Sequence, residues 1–128
     1  MKYQYLFHID DDEDDSEIFA TAASEVSKTA SIESFNDAHQ ALQKMELSPS
    51  SLPDVVFLDL NMPIMDGFQF LKEIKTKPHL KNIPVIILST SSSRETIDKA
   101  KKMGAEGFIT KPSDFNILVD ILKSYLKK

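Results

Sequence analysis

Five polar side chains that could do chemistry stand directly after short apolar segments of the chain. They are Asp10, Asp11, Asp59, Ser89 and Lys111. Three carboxylates are the hard oxygen ligands that a divalent cation such as Mg²⁺ prefers. A carboxylate can also attack phosphorus to form an aspartyl phosphate, and a hydroxyl and an ammonium can bond to the remaining phosphoryl oxygens. These residue types indicate phosphoryl chemistry if the fold brings them together.

Five short segments are rich in the β-branched and aromatic residues that favour strands. They are Tyr3–Ile9, Ile32–Phe35, Val55–Leu58, Val85–Leu88 and Gly107–Thr110. The third and fourth are uninterrupted apolar runs, a pattern typical of strands covered on both faces, as in a parallel sheet. His8 falls in the first segment and is interpreted as a strand residue.

Between these segments, apolar residues recur at spacings of three and four, which places each set on one face of a helix. The sets are Ile18, Phe19, Ala22, Ala23 and Val26; Ala38, Ala41, Leu42 and Met45; Phe70, Leu71 and Ile74; Ile97, Ala100 and Met103; and Phe115, Leu118, Val119, Leu122 and Leu126. Asn36 and Ser93 are predicted to cap the second and fourth helices, and Gly104 to follow the end of the fourth.

Strict alternation of strands and helices predicts an α/β domain, in which a parallel sheet carries helices on both faces. The carboxyl ends of parallel strands share one edge, and open α/β sheets bind ligands just outside that edge. Each of the five polar residues follows a predicted strand, so they should converge there. Neighbouring carboxylates repel one another, and Mg²⁺ would relieve that repulsion.

Four pieces of sequence at these strand ends carry a resemblance to a known family. They are IDD at 9–11, FLDLNMPIMDG at 57–67, ILST at 87–90 and ITKP at 109–112. Over its full length the chain resembles the receiver domain of bacterial response regulators, the CheY-like switches of two-component signalling. The resemblance implies a flavodoxin-like (βα)5 doubly wound parallel sheet with strand order 2-1-3-4-5. It also implies a single receiver domain over residues 1–128 with no output domain.

The resemblance assigns a role to each acidic residue at the site. Asp59 would be the phosphoacceptor. Mg²⁺ would be held by Asp10, Asp11, Asp59 and the backbone carbonyl of Asn61. The expected cofactor is therefore Mg²⁺ alone.

Ser89 and Lys111 would contact the phosphoryl group, and Ser89 with Phe108 would form the switch, with a purely core role for Phe108 as the open alternative. The face that changes would consist of the fourth helix, the fifth strand and the fifth helix. The family often has threonine, tyrosine and phenylalanine where this chain has Ser89, Phe108 and Ser113. Serine keeps the hydroxyl, whereas Phe108 has none to donate, and Ser113 indicates a different contact surface.

The expected function is that of a single-domain response regulator. It would accept a phosphoryl group from a sensor histidine kinase or a histidine phosphotransfer protein in a Mg²⁺-dependent reaction. It is not expected to be an enzyme beyond its own phosphorylation and dephosphorylation. Its output would pass to an unknown protein target, with homodimerisation through the switching face and a phosphorelay role as open alternatives.

Composition excludes several other classes of protein. The 128 residues include 15 basic and 20 acidic side chains, for a net charge of −5, so binding to nucleic acid or an anionic membrane is not expected. Without cysteine, no disulfide or thiolate metal site can form. The apolar runs are too short for a membrane span or a signal peptide, and the expected location is cytoplasmic.

The acidic run at 10–17 also has interpretations that involve no site. The helix dipole favours negative charge at a helix start, which accounts for Glu13, Asp14, Asp15 and Glu17 without a role at the site. A calcium-binding loop counted from Asp10 fails, because the sixth position is Asp15 instead of glycine and the twelfth is Thr21 instead of glutamate.

Three other functions are weighed against the phosphoacceptor switch. A haloacid-dehalogenase-type hydrolase would need an acid two residues after the nucleophile, where this chain has Asn61. A flavodoxin-type nucleotide module would need a phosphate-cradling loop after the first strand, but that loop is acidic and the chain has only three glycines. A receiver reduced to a scaffold would lack one of the site residues, and here the set is complete.

Overall fold

The structure, a computed structural model, describes residues 3–60 and 66–126. Strands and helices alternate along it: β1 (Tyr5–Ile9), α1 (Glu13–Val26), β2 (Ser31–Phe35), α2 (Ala38–Leu47), β3 (Val55–Asp59), α3 (Gly67–Thr76), β4 (Val85–Ser89), α4 (Arg94–Lys102), β5 (Gly107–Thr110) and α5 (Phe115–Leu126). The strands form one parallel sheet in the order β2-β1-β3-β4-β5. The predicted α/β class and flavodoxin-like strand order are therefore confirmed.

Helices cover both faces of the sheet, and each face has its own apolar core. On one face, strand residues such as Phe7 and Ile87 pack with residues of α2, α3 and α4. On the other face, residues such as Phe57 and Leu88 pack with α1 and α5. Because both faces are covered, β3 and β4 are buried along their whole length, as their apolar runs predict. No helix within residues 3–60 and 66–126 is long and apolar enough to cross a membrane.

Predicted strand boundaries shift by one or two residues. β1 begins at Tyr5 instead of Tyr3, because the carboxylate of Asp54 accepts the N–H groups of Tyr5 and of the residue before it, at 2.9 and 2.8 Å. β2 begins at Ser31 instead of Ile32, since the N–H of Ser31 already donates across to the β1 side. Strand propensity does not predict these hydrogen bonds, because they join residues that are distant in the sequence.

Helix ends follow capping chemistry, with one correction. The predicted cap Asn36 is wrong: Asp37 caps α2, and its carboxylate accepts the N–H of His39 at 2.7 Å. The predicted cap Ser93 of α4 is confirmed. Gly104 follows the C-cap of α4 with φ of +100°, a left-handed conformation that glycine adopts without steric cost.

Two residues of the predicted apolar stripes are exposed instead of buried. Ile18 of α1 is 46% exposed, and Phe115 of α5 is 38% exposed. Ile18 lies beside the buried stripe of α1, which begins at Phe19. Phe115 is the first residue of α5, whose buried residues begin at Leu118. Both side chains therefore remain on the surface near the carboxyl edge of the sheet.

Gly67 brings the start of α3 close to the strand that carries Asp59. A Cβ atom here would lie 2.8 Å from the Cα of Leu60 and 2.9 Å from the carbonyl oxygen of Asp59. Gly67→Ala is therefore expected to destabilise the fold by about 1–3 kcal/mol, the usual cost of overpacking. Denaturant unfolding measures the change. Because alanine favours helices over glycine by about 1 kcal/mol, an increase in stability would show that the close approach carries no cost.

Candidate functional site

The predicted site residues lie along the carboxyl edge of the sheet. Asp10 directly follows β1, and Lys111 directly follows β5. Asp59 and Ser89 occupy the last positions of β3 and β4, so each of these strands ends one residue later than predicted. The N–H of Lys111 donates to the carbonyl of Ser89 at 2.7 Å. This bond extends the pairing of β4 with β5 and fixes the backbone from which both side chains emerge.

Three carboxylates meet at this edge in a group that could hold a metal ion. One oxygen each from Asp10, Asp11 and Asp59 lies within 4.8 Å of the others. Asp10 and Asp59 are buried, and Asp11 is exposed. The donors are all carboxylate oxygens, which suit Mg²⁺, and like charges this close call for a compensating cation. The predicted carbonyl ligand Asn61 lies outside the described residues.

Lys111 is the cation that this acidic group already contains. Its Nζ lies 3.1 Å from Asp15 Oδ2, 3.2 Å from Asp10 Oδ2 and 3.4 Å from Asp59 Oδ1. Burial by itself lowers the pKa of Lys111. The charges of Asp59 and Asp10 and the hydrogen bonds to Asp15 and Asp10 outweigh burial, so its pKa is raised. Lys111 is therefore held as an ammonium beside Asp59.

Both oxygens of the Asp10 carboxylate have partners. The N–H of Asp12 donates to Oδ1 at 2.9 Å, and Lys111 donates to Oδ2 at 3.2 Å. The pKa of Asp10 is raised to about 6, chiefly by burial and in part by the charge of Asp59, while the bonds from Asp12 and Lys111 oppose the rise. Asp10 is thus a carboxylate of fixed orientation in a site with excess negative charge.

Asp15 contacts the site, although its sequence position indicates only an acidic helix start. It is the third residue of α1, and its carboxylate accepts a hydrogen bond from Lys111. Side chains in the first turn of a helix tilt back toward its N-terminus, which here means toward the carboxyl edge of the sheet. The interpretation of Asp15 without a site contact was incomplete. The signal that could have found it is this position, one turn after the Asp10–Asp11 pair.

His8 is buried directly beneath the site. Its ring stacks on Phe19 with centroids 4.0 Å apart, and its Nε2 lies 4.0 Å from Asp10 Oδ2. Its Nδ1 has no hydrogen-bond partner in the described part of the chain. Burial lowers the pKa of His8 to about 3, and the positive charge of Lys111 contributes in the same direction. The predicted strand position is confirmed, and the ring is neutral at ordinary pH.

His8→Leu is expected to stabilise the protein by roughly 1–3 kcal/mol at neutral pH, because a buried polar atom without a partner is removed. The difference in free energy of unfolding between His8→Leu and wild type should increase as pH falls. The unfolded state takes up a proton near pH 6.5, whereas folded His8 does so only near 3, so the wild type loses stability across that window. The raised pKa of Asp10, about 6, has the opposite effect on the pH dependence of stability. Asp10 is present in both proteins, so its contribution largely cancels in the comparison.

Urea unfolding of both proteins at pH 7 and pH 5 measures this difference. His39→Gln is a matched control, because His39 is an exposed histidine on the surface of α2. If wild type and His8→Leu differ less in their free energy of unfolding at pH 5 than at pH 7, the burial argument is contradicted.

The two predicted switch residues differ in burial. Ser89 is buried, and its hydroxyl accepts the N–H of Ser91 at 3.0 Å. Phe108 is half-buried on β5 and packs against the core on the α2–α4 face, as Met103 and Ala105 also do. Ser89 pairs with Thr110 in the β4–β5 ladder. A movement of Ser89 therefore has a direct backbone connection to the strand of Phe108.

A cavity of about 200 Å³ opens beside the site, between α1 and the segment that joins β5 to α5. Its polar side includes Asp10, Asp15 and Lys111, and the exposed Ile18 and Phe115 line its apolar side. An apolar surface thus borders the residues that would carry the chemistry.

Comparisons with known proteins agree on one family. A family model described as the response regulator receiver domain matches residues 6–123. The probable methanogenesis regulatory protein FilR2 of Methanothrix harundinacea is 35% identical over 76% of this chain, which spans 66% of that relative. The response regulator Rcp1 of Synechocystis is 30% identical over 86% of this chain and 80% of its own length.

Solved structures agree with this result. The structure of the phosphorylated cyanobacterial phytochrome response regulator RcpA superposes with a TM-score of 0.87 at 28% identity, and covers 98% of this chain and 95% of its own. The similarity therefore extends over nearly the whole chain.

Proposed function

The chain belongs to the response regulator receiver domain family, and we propose that it is a signalling switch that accepts a phosphoryl group on Asp59. The observation that carries the proposal is the position of Asp59. Its buried carboxylate ends β3, 3.4 Å from the ammonium of Lys111 and beside Asp10 and Asp11. A nucleophile, a cation and a metal-binding pair thus share one pocket. The similar regulator RcpA has been solved in a phosphorylated state, which supports phosphoryl acceptance by this chain.

In the proposed reaction, an oxygen of Asp59 attacks the phosphorus of a phosphohistidine. The new O–P bond forms as the N–P bond of the donor breaks, and the electron pair of that bond stays on the imidazole nitrogen. Lys111 stabilises the negative charge on the phosphoryl oxygens by a charge-assisted hydrogen bond. Asp10, Asp11 and Asp59 would hold Mg²⁺, which when bound neutralises charge on the phosphoryl group.

The donor is proposed to be a sensor histidine kinase or a histidine phosphotransfer protein. Ile18 and Phe115 are exposed apolar residues that line the cavity beside the site, so a donor that delivers phosphohistidine to Asp59 could bury them at the same time. We propose a cytoplasmic location, where such donors present their phosphohistidine. The protein would catalyse only its own phosphorylation and dephosphorylation, and its downstream target is a protein.

The direct test uses a small phosphodonor. The protein is incubated with acetyl phosphate, with and without Mg²⁺, and its intact mass is measured. One phosphate should be incorporated, stable in acid and labile in base as an acyl phosphate is, and only when Mg²⁺ is present. If the wild-type protein takes up no phosphate from acetyl phosphate or phosphoramidate, the proposed function is wrong.

The output is proposed to pass through the face built by α4, β5 and α5. Ser89→Ala should leave Asp59 able to accept phosphate but prevent the change from reaching Phe108, because the variant lacks the hydroxyl that a phosphoryl oxygen would attract. A hydrogen bond to a charged group contributes about 1.5–3 kcal/mol, enough for a partial population shift. Amide chemical shifts with and without beryllofluoride measure this, with exposed Ser92→Ala as the control. Wild-type shifts confined to the acidic pocket would refute a switch on this face and leave a relay role.

A further inference from the structure

We infer that Asp15 competes with the phosphoryl group for Lys111 and so limits how strongly the phosphorylated state is stabilised. The inference rests on the proposed function of Asp59. The ammonium of Lys111 has three N–H donors, and three carboxylates surround it at 3.1 to 3.4 Å. The shortest of these distances is the one to Asp15. A phosphoryl group therefore meets a lysine that α1 already binds.

Asp15 differs from the other two partners of Lys111 in its exposure. The side chains of Asp10 and Asp59 are buried, whereas that of Asp15 is 43% exposed. A partly exposed carboxylate keeps much of its hydration, so the Asp15 bond is the one that Lys111 gives up at least cost. Asp15 also adds negative charge to a pocket that must accept a phosphoryl dianion. Both effects oppose phosphorylation.

Loss of Asp15 would also remove one of the contacts that position Lys111, and this effect has the opposite sign. It is small, because Asp10 remains. The Asp10 carboxylate is buried and oriented by the N–H of Asp12, and its contact with Lys111 at 3.2 Å does not involve Asp15. The competition and the repulsion should therefore outweigh the lost positioning.

The test measures the affinity of the full chain for beryllofluoride, a phosphoryl analogue, in the presence of Mg²⁺ by fluorine NMR or calorimetry. Asp15→Asn should bind about threefold more tightly than wild type at low salt, an effect within the range of an exposed ion pair. High salt should remove the difference, since exposed charges are screened. Asp15→Glu should return the affinity toward the wild-type value.

Asp14→Asn is the matched control, because Asp14 is an exposed aspartate in the same first turn of α1. Its removal changes the net charge and the helix-dipole interaction equally but leaves the Asp15–Lys111 contact in place. If Asp15→Asn binds no more tightly than Asp14→Asn, the inference is overturned, whereas the proposed function stands as long as the wild type binds beryllofluoride. If the wild type itself fails to bind, the proposed function falls and the inference falls with it.

Discussion

Asp59→Asn should abolish phosphoryl uptake from acetyl phosphate completely. The amide has nearly the shape of the carboxylate but is a far weaker nucleophile, so the O–P bond cannot form at this position. The loss should not reflect unfolding. Burial raises the pKa of Asp10 and the charge of Asp59 adds to that rise, so removing one of three neighbouring carboxylates should leave the metal-free protein at least as stable as the wild type.

Intact mass after incubation with the phosphodonor measures this loss, and a thermal melt confirms that the variant is folded. Asp98→Asn is a suitable control, because Asp98 is an exposed aspartate of α4 away from the acidic group. It should be phosphorylated like the wild type. Phosphate that persists on another residue of Asp59→Asn would refute the choice of nucleophile.

Asp11→Asn should weaken Mg²⁺ binding by about tenfold or more, equivalent to about 1.4 kcal/mol. Asp11 is the exposed member of the acidic group. Asp10, by contrast, is buried and has both oxygens engaged by Asp12 and Lys111. Compared with Asp10, the Asp11 carboxylate is therefore more available to bind a cation. Its loss should mainly weaken Mg²⁺ binding.

Calorimetric titration and Mg²⁺-dependent unfolding both measure this effect. A ligand at a hundred times its dissociation constant stabilises the folded state by about 2.7 kcal/mol, whereas tenfold weaker binding at the same concentration leaves about 1.4 kcal/mol. Asp14→Asn again removes a nearby charge without touching the acidic group. Equal Mg²⁺ affinity in Asp11→Asn and wild type would exclude Asp11 as a ligand.

Most of the fold is encoded in local patterns of the sequence. The apolar runs Val55–Leu58 and Val85–Leu88 became strands buried on both faces, because a parallel sheet covered by helices leaves no polar side. The spacing of Ala38, Ala41, Leu42 and Met45 became the buried face of α2, because a helix repeats every 3.6 residues. Strand order does not follow from this alternation; the resemblance of four motifs to the receiver family supplied it.

The sequence by itself also determined which residue types stand at the strand ends, because parallel strands present their carboxyl ends along one edge. Only the tertiary structure decided what those residues contact. Lys111 reaches Asp15 across 96 residues of chain, His8 is buried without a partner for Nδ1 within the described residues, and Ile18 stays exposed beside the pocket. Each outcome depends on how α1 packs against the sheet and against the segment after β5. Packing between distant elements leaves no trace in the periodicity of either element, and for that reason periodicity does not reveal these contacts.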